Sequence, residues 1–382
     1  MLLILLAACT GPTPDDTAAA ACEEGPGVIC TWAGTGDAGW DGDGNDRLAS
    51  MFYWPMKVEV SPYGNPVVMD WNNHRVREVL DDGTLTTIIG TMFPGDGPAD
   101  LGDLTAPGAP GDTVALNHPT DAIWMPDGSL LLAAWHNHKL RAYDPTTGNV
   151  LVHCGSGAGF VGDNFEDAST AKLNMPNSLA LDEATGTVYI VDQKNQRIRE
   201  LTSDLQINTL AGTGEKGIGG DGGALREALF SFPTGAQPEP GGAVAIGPDG
   251  ALYIADTENH RIRKLDLVDN VVTTVAGNGT AGFGGDGGPA VDAQLDYPRS
   301  VAFDADGLLW IADTDNHVLR TVDLATGVIT TAVGTGDVSG FSGDGGPAAE
   351  ATLYRPFGID FDPAGDLYIA DTYNHRIRVV SR

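Results

Sequence analysis

The sequence predicts an all-β fold, a six-bladed β-propeller, from two observations. A strand–turn–strand pattern recurs six times, and each copy ends in Asn-His or, once, in Asn-Gln, with the asparagines at Asn73, Asn137, Asn195, Asn259, Asn316 and Asn374. The copies are 64, 58, 64, 57 and 58 residues apart, so each unit is too small to bury a core alone. Small units repeated around an axis leave only short, protected sheet edges, which favours a propeller.

Each unit is predicted to contain four short strands, named a to d in chain order. The fifth unit shows the pattern most clearly, with β-rich stretches at 300–303, 309–313, 318–322 and 328–333. Turn-forming pairs such as Asp306-Gly307 and Thr326-Gly327 separate these stretches. Six such units predict six blades.

The two ends of the chain indicate how the ring closes. The last unit stops after strand c, at 376–380, and a matching strand d stands at the start of the repeat region, at 28–34. An open ring would expose two unpaired strand edges. We therefore expect the N-terminal strand to complete the sixth blade.

These units resemble the NHL family, whose repeats are named for the Asn-His turn. The glycine-rich connector at 276–290, with echoes at 212–224 and 334–348, is also similar to the NHL propeller of teneurins and of bacterial teneurin-like lipoproteins. The resemblance covers residues 28–382 and implies the propeller fold. It leaves the function open, because members of the family include ligand sensors, RNA binders, adhesion modules and a metal-dependent lyase.

The net charge of the chain argues against one class of partner. The formal net charge is −31, from 52 acidic and 21 basic residues. Nucleic-acid binding requires clustered Lys and Arg that release counterions from phosphates, so a nucleic-acid partner is not expected.

The N-terminus resembles a bacterial lipoprotein signal. Residues 1–9 form a short apolar run that ends in Leu6-Ala7-Ala8-Cys9, and the run is too short to span a bilayer. This resemblance implies lipidation of Cys9, with 10–27 as a disordered tether rich in Pro, Thr and Ala. Thr10 after the cysteine implies the outer membrane of a Gram-negative cell. We therefore expect a cell-envelope or secreted protein that meets the membrane only through its lipid anchor.

Three further cysteines remain. Cys22 and Cys30 are close enough in sequence to form a disulfide after export, and Cys154 takes a small apolar position of a strand d, where a buried free thiol is expected.

Two charged positions repeat around the ring. An Asp precedes the turn in five units and an Arg follows it in all six, at Asp70, Asp192, Asp256, Asp313, Asp371, Arg77, Arg141, Arg199, Arg263, Arg320 and Arg378. A residue that recurs in nearly every unit is predicted to serve the fold, here through hydrogen bonds to the turn and between strands. The turn histidines follow the same interpretation.

The glycine- and aspartate-rich connectors suggest calcium, above all at 41–46, because Ca²⁺ takes oxygen ligands. The same stretch is, however, the local copy of a repeated Gly-Asp-Gly-Gly element, and it lacks the final Glu of an EF-hand loop. We expect no cofactor, with calcium as the alternative.

Departures from the repeat gather in blades one and two. Aromatic and imidazole side chains replace the usual residues in or beside the turns and connectors, at Trp40, Trp54, Trp71, Trp135, His118, His136 and His138. Blade two also has Ala134 in place of the turn Asp, and an extra run at 92–113. Along the innermost strands, charged residues occur at Lys57, Glu59, Asp121 and Asp360. Ionisable groups beside aromatic side chains are typical of a binding site.

Three functions fit this pattern. The first is a binding or adhesion module that recognises a glycan, peptide or protein with the face of blades one and two. The second is a metal-dependent enzyme that resembles the lactonase or lyase propellers and uses channel carboxylates around a divalent cation. A metal held by His118, His136 and His138 is a separate possibility. The third is a display domain whose partner lies in another chain. A purely structural explanation also fits these residues. The Lys57 ammonium could pair with Glu59 or Asp121, and the tryptophans could fill the wedge-shaped gaps between blades.

Overall fold

Six antiparallel sheets surround a central cavity in the computed structural model of the protein, which describes residues 22, 25–61, 63–162, 166–236, 238–336 and 338–382. The innermost strand of each sheet contacts the innermost strand of the next, and the contacts return from the sixth sheet to the first. The six-bladed propeller is therefore confirmed.

Each blade contains four strands, with strand a innermost and strand d outermost. Strands a to d are Pro55–Ser61, Gly64–Asp70, Arg75–Val79 and Leu85–Ile89 in blade one, and Pro119–Trp124, Leu130–Ala134, Lys139–Asp144 and Asn149–Cys154 in blade two. They are Pro176–Asp182, Thr187–Asp192, Arg197–Leu201 and Gln206–Ala211 in blade three, and Ala243–Ile246, Leu252–Asp256, Arg261–Asp266 and Val271–Ala276 in blade four. They are Pro298–Phe303, Leu309–Asp313, Val318–Asp323 and Val328–Val333 in blade five, and Ile359–Phe361, Leu367–Asp371, Arg376–Val380 and Val28–Ala33 in blade six.

The N-terminal strand closes the ring, as predicted. Ile29 pairs with Val380 and Cys30 pairs with Val379 in the antiparallel register of blade six. A disulfide joins Cys22 to Cys30, and Cys154 is a free, buried thiol. The predicted signal peptide, Cys9 and nearly all of the predicted tether lie outside the described residues. No helix in the described part of the chain is long and apolar enough to cross a membrane.

The connector that leads into a blade returns along the outer edge of that blade. Two-residue strands at Ala109–Pro110, Glu166–Asp167 and Gly346–Pro347 pair with strand d of blades two, three and six. An exposed outer edge could pair with another chain, so these short strands protect the sheets from aggregation.

The core lies between the blades and not at the propeller axis. Within the described residues, buried apolar side chains form six clusters that join neighbouring blades, and the cluster of blades one and two also includes Phe357 of blade six. For example, Met69 of blade one packs in the same cluster as Leu132 of blade two. Each blade therefore depends on both neighbours, and removing one strand weakens two interfaces.

The repeated Asp and Arg side chains form a buried network, which agrees with their predicted scaffold role. In blade four, Asp256 accepts hydrogen bonds from the Ser231 amide at 2.7 Å and from the Asn259 side chain at 2.8 Å. The Arg263 guanidinium lies 3.2 Å from Asp256 and 2.6 Å from Asp221 of the glycine-rich connector. The network thus fixes the turn and the connector of one blade to its strand c.

Blade two fixes its turn and its connector to strand c with different residues. Ala134 replaces the turn Asp, and the side-chain oxygen of Asn137 accepts the Asn117 amide instead, at 2.9 Å. The buried carboxylate of Asp103, which lies in the extra run at 92–113, forms an ion pair with Arg141. The inserted residues therefore supply the charge that the turn has lost.

Candidate binding face

The turns between strands b and c lie on one side of the propeller, here called the turn face. Each turn is a single 3-10 turn, followed by a residue in the left-handed conformation with φ between 52° and 61°, namely His74, His138, Gln196, His260, His317 or His375. This conformation costs a non-glycine residue about 1 kcal/mol, so it requires a compensating interaction.

The compensating interaction is a hydrogen bond to the next blade. The Nδ1 atom of the turn histidine accepts a backbone amide, for example from His118 to His74 at 3.3 Å and from Tyr297 to His260 at 3.2 Å. Gln196 does the same with its side-chain oxygen, which accepts the Phe232 amide at 2.9 Å. Burial lowers the pKa of His74 to about 4, so the ring is neutral at pH 7, and its one proton lies on Nε2 when Nδ1 accepts the amide.

His138 belongs to this scaffold set. Its Nδ1 atom accepts the Met175 amide at 3.1 Å, in the position that the turn histidines of the other blades occupy. The structure therefore separates His138 from the pair His118 and His136, with which the sequence had grouped it.

Five side chains form a continuous row on the turn face, here called the aromatic arc: Tyr373, Trp54, Trp71, His118 and His136. Ring centroids are 5.1 Å apart for Tyr373 and Trp54, 6.0 Å for Trp54 and Trp71, 4.1 Å for Trp71 and His118, and 4.9 Å for His118 and His136. All five residues are half-buried. The arc crosses blades six, one and two, and the sequence brought four of its members together but missed Tyr373.

Hydrogen bonds hold the imidazoles of the arc in place. The Nδ1 atoms of His118 and His136 are 2.9 Å apart, and Nε2 of His118 lies 3.3 Å from the side-chain oxygen of Asn72. Burial, together with His74 and His136, lowers the pKa of His118 to about 3. Both rings are therefore neutral at pH 7, and His118 presents a flat uncharged surface beside Trp71.

The structure corrects the prediction for Trp135, which the sequence analysis placed among the candidate ligand-binding residues. Its side chain is 0% exposed, and its indole nitrogen donates to Gln193 at 2.9 Å. The ring stacks under His136 with a centroid distance of 4.1 Å. Trp135 therefore supports the arc from below.

Trp40 occupies a connector position at which two other blades also place an aromatic ring against an arginine. Its ring lies under the Arg75 guanidinium at 4.1 Å, and the equivalent pairs Phe160 with Arg197 and Phe341 with Arg376 are separated by 3.9 and 3.8 Å. The tryptophan is thus a larger version of an aromatic residue that other connectors also carry.

The charged residues of the innermost strands are linked to one another. The Lys57 ammonium lies 2.6 Å from Asp121 and 3.3 Å from Glu59. Although burial disfavours the charge of Lys57, the surrounding carboxylates outweigh this effect and raise its pKa. Burial raises the pKa of Glu59, and Asp360 and Asp121 add to this rise, whereas the Lys57 ammonium opposes it.

The same carboxylates connect neighbouring innermost strands. Asp360 of blade six accepts the Val60 amide of blade one at 3.0 Å, and Asp121 of blade two accepts the Leu179 amide of blade three at 2.8 Å. In blade three a hydroxyl takes this role, since Ser178 accepts the Val244 amide at 3.2 Å. These acidic residues therefore contribute to ring cohesion, whatever else they contact.

The central cavity opens on the turn face, because it is lined by the first residues of the innermost strands. Its lining includes Lys57, Asp121, Asn177, Arg299 and Phe357, and the space between these side chains that water can occupy is about 60 Å³. Phe357 packs against Tyr373 with a centroid distance of 6.4 Å. The cavity and the aromatic arc are thus contiguous.

A second group at this cavity was missed by the sequence analysis. Glu239 lies in an inserted loop between Pro233 and the start of strand a at Ala243, whereas strand a begins at the proline itself in blades one, two, three and five. The Glu239 carboxylate receives hydrogen bonds from Arg355 at 3.0 and 2.7 Å and from Arg299 at 2.5 Å. The extra residues between Pro233 and Ala243 in blade four are the feature of the sequence that could have revealed Glu239 as a candidate.

The connector aspartates serve as ion-pair partners. Besides Asp221 in blade four, Asp286 lies 2.5 Å from Arg320 and Asp344 lies 2.6 Å from Arg378. In the suggested calcium stretch, Asp41 accepts the Met51 amide and the Asn45 side chain at 3.1 Å each. Among the described residues, no group of three or more His, Cys, Asp or Glu side chains could hold a metal ion.

Comparison with known families agrees with this geometry. A family model described as the teneurin NHL domain matches residues 274–341, and the NHL repeat model matches 239–265 and 353–380. The protein is an NHL-repeat β-propeller. The NHL turn that names the family is thus the histidine-capped turn described above.

Relatives of this NHL propeller occur in plants and animals. It is 31% identical over 270 residues to SUPPRESSOR OF QUENCHING 1, chloroplastic, of Arabidopsis thaliana, covering 68% of the chain and 24% of that protein. It is 27% identical over 355 residues to human NHL repeat-containing protein 2, covering 87% of the chain and 47% of that protein. The chain therefore spans less than half the length of these relatives.

A solved structure shows the same fold. An auxiliary nutrient binding protein from Bacteroides ovatus superposes with a TM-score of 0.62 at 16% sequence identity, covering 93% of this NHL propeller and 76% of that chain.

Proposed function

We propose that this NHL propeller is a binding module whose aromatic arc recognises a glycan, peptide or protein ligand. The observation that carries the proposal is the unbroken row of five half-exposed rings on the turn face, contiguous with the central cavity. Aromatic side chains that surround a concave site with a few polar groups are typical of ligand recognition.

The position of Trp71 supports this reading. In blades four, five and six the corresponding residue is Thr257, Thr314 or Thr372, whose hydroxyl donates to the carbonyl of the proline in the next blade at 2.7 to 2.8 Å. Such a hydrogen bond contributes about 1 kcal/mol. Blade one gives up this link, and the buried indole nitrogen of Trp71 finds no hydrogen-bond partner within the described residues. Trp71 thus replaces the usual Thr at a cost in folding stability, which makes it a good candidate for ligand contact.

Binding is better supported than catalysis at the channel carboxylates. Asp121, Glu59 and Asp360 each accept a backbone amide, and Lys57 pairs with two of them. A general acid or a metal ligand in this group would first have to give up these interactions. The name of the structural neighbour from Bacteroides ovatus, a nutrient binding protein, is consistent with a binding role.

If the aromatic arc binds the ligand, truncating either of its tryptophans should weaken binding. Trp54→Ala and Trp71→Ala should each weaken ligand binding by about 2 kcal/mol, or about thirtyfold in Kd, because aromatic anchors dominate such sites. The ligand is first found with a panel of immobilised glycans and peptides. Calorimetry with the tightest panel member then measures both variants, and thermal melting checks that both remain folded.

Two variants serve as controls. Phe341→Ala removes an exposed aromatic ring that packs on Arg376 outside the arc, and it should leave Kd unchanged. Trp135→Ala removes a fully buried ring and should cost about 3 kcal/mol or more of folding stability. If the Phe341 variant loses ligand and the Trp54 and Trp71 variants keep it, the binding face has been misassigned.

We further propose that Cys9 is lipidated and holds the propeller at the cell envelope. The lipobox-like residues before Cys9 and the polar stretch after it support this proposal. Replacing Cys9 with Ser should move the protein from the membrane fraction to the soluble fraction, because the acyl chains supply the anchoring energy. Unchanged partitioning of the Cys9→Ser protein would argue against lipidation.

A further inference from the structure

The inserted loop of blade four carries a carboxylate into a site formed by other blades. Arg355 binds both oxygens of Glu239, and Arg299 binds one of them. The Tyr373 hydroxyl lies 3.3 Å from the same carboxylate and accepts a hydrogen bond from Arg355 at 2.7 Å. Two guanidinium groups with a hydroxyl are a favoured arrangement for recognising a carboxylate.

We propose that this site binds an acidic sugar, a hexuronate, whose carboxylate takes the place of Glu239 between Arg299 and Arg355. The proposal rests on the binding role proposed above and names the ligand class for the same face. In the unliganded protein, Glu239 acts as an internal competitor for the site.

Two neighbouring arginines, Arg299 and Arg355, are unusual in a chain with so few basic residues. The protein has only 21 basic residues against 52 acidic ones. Arg299 is almost fully buried, yet its guanidinium lines the central cavity. Asp315 contacts the Nε atom of Arg355 at 2.7 Å, and Lys57 pairs with Asp121 elsewhere in the cavity lining. Without Glu239 the two guanidiniums would therefore carry one uncompensated positive charge.

A ligand carboxylate that displaces the Glu239 side chain would have to replace its hydrogen bonds to Arg299 and Arg355, while the Glu239 backbone carbonyl stays bonded to Gln193 at 3.0 Å. The Glu239 side chain is 43% exposed, and it belongs to a loop bounded by Gly235 and Gly242, both with positive φ. Burial opposes the ionisation of Glu239, but the hydrogen bonds and charges of Arg355 and Arg299 outweigh it and lower its pKa. The carboxylate in the site is thus ionised, as that of a bound hexuronate would be.

Three polar atoms in the wall of the cavity beneath the loop lack a hydrogen-bond partner among the described residues: the Thr120 hydroxyl, the Asn177 side-chain oxygen and the Arg299 Nε atom. Buried polar atoms without partners are costly. Because none of the three has surface accessible to water, a sugar hydroxyl would reach them only after the wall of the cavity opens.

The site continues into the aromatic arc. Tyr373 contacts Arg355 through its hydroxyl and Trp54 through its ring, with a centroid distance of 5.1 Å between the two rings. Further sugars linked to the bound hexuronate could therefore extend along the arc.

Titration with sodium glucuronate, glucose and sodium acetate tests the proposal by calorimetry on the folded protein. Glu239→Gln removes the competing charge, so its affinity for glucuronate should rise about tenfold or more over that of the wild type. Arg355→Gln should abolish glucuronate binding. Glucose lacks the carboxylate and should gain nothing from the Glu239→Gln change.

Three results would overturn the proposal. One is a folded Glu239→Gln protein whose glucuronate affinity equals that of the wild type. Another is an equal gain for acetate, which would show that the site recognises the carboxylate and not the sugar. If Glu239→Gln does not fold, Arg355→Gln in the wild-type background decides, since retained glucuronate binding would also contradict the proposal. Loss of panel-ligand binding in Trp54→Ala is a separate result and bears only on the arc.

Discussion

Deleting residues 1–34 should open the ring and lower the melting temperature by more than about 10 °C, or cause aggregation. The deletion removes Val28–Ala33, the outermost strand of blade six, in which Ile29 and Ala33 are 0% exposed. It also removes the outer partner of Arg376–Val380, which keeps only its inner partner Leu367–Asp371, and so exposes an unpaired sheet edge. Thermal melting and size-exclusion chromatography measure both effects.

A shorter deletion provides the control. Removing residues 1–21 retains Cys22, the disulfide and the whole closing strand. This protein should melt at the temperature of the full chain. A soluble product of the 1–34 deletion that melts at the same temperature would contradict closure by the N-terminal strand.

Asp256→Ala should lower the free energy of unfolding by about 3 kcal/mol, because it leaves the buried Arg263 guanidinium short of one countercharge. The change also removes the acceptor of the Ser231 amide and of the Asn259 side chain. Asp221 remains 2.6 Å from Arg263, which places the effect at the lower end of the range for broken buried ion pairs. Urea unfolding gives the free energy directly.

Asp269→Ala is the matched control for this change. Asp269 is exposed in the turn after strand c of the same blade, so its replacement should change stability by less than about 0.5 kcal/mol. Equal costs for the two variants would show that the repeated Asp is not a special element of the scaffold.

The comparison of repeats explains why the scaffold could be predicted. A position such as Asp256 or Arg263 has the same environment in several blades, so the same residue is retained there. The closing strand at 28–33 was identifiable for the same reason, since one strand d was missing at the end of the chain. Both predictions required only the sequence period and the need to pair every strand edge.

The candidate site was harder to predict, because a departure from the repeat has more than one cause. Trp71 and Trp135 replace the same turn residue, yet Trp71 is half-exposed and Trp135 is buried against Gln193. Which of the two tryptophans reaches the surface depends on packing between blades, and one sequence does not contain that information. Glu239 was missed because its partners, Arg299 and Arg355, are distant in the chain and meet only in the folded ring.

The charged residues of the innermost strands show a further difficulty. Lys57, Asp121 and Asp360 were predicted as part of a binding site, with pairing of Lys57 and Asp121 as the alternative, and the structure places Lys57 beside Asp121. Their hydrogen bonds to backbone amides depend on the register between neighbouring blades. Residue identity alone could not distinguish these links from ligand contacts.

The indole N–H resonances of the ¹⁵N-labelled protein test most directly whether ligands bind the aromatic arc. On addition of the tightest panel ligand, we expect the signals of Trp54 and Trp71 to shift. Trp310, whose indole donates to Asp304 at 2.9 Å near the opposite face, should not shift. Shifts at Trp310, with Trp54 and Trp71 unchanged, would contradict the assignment of the turn face as the binding face.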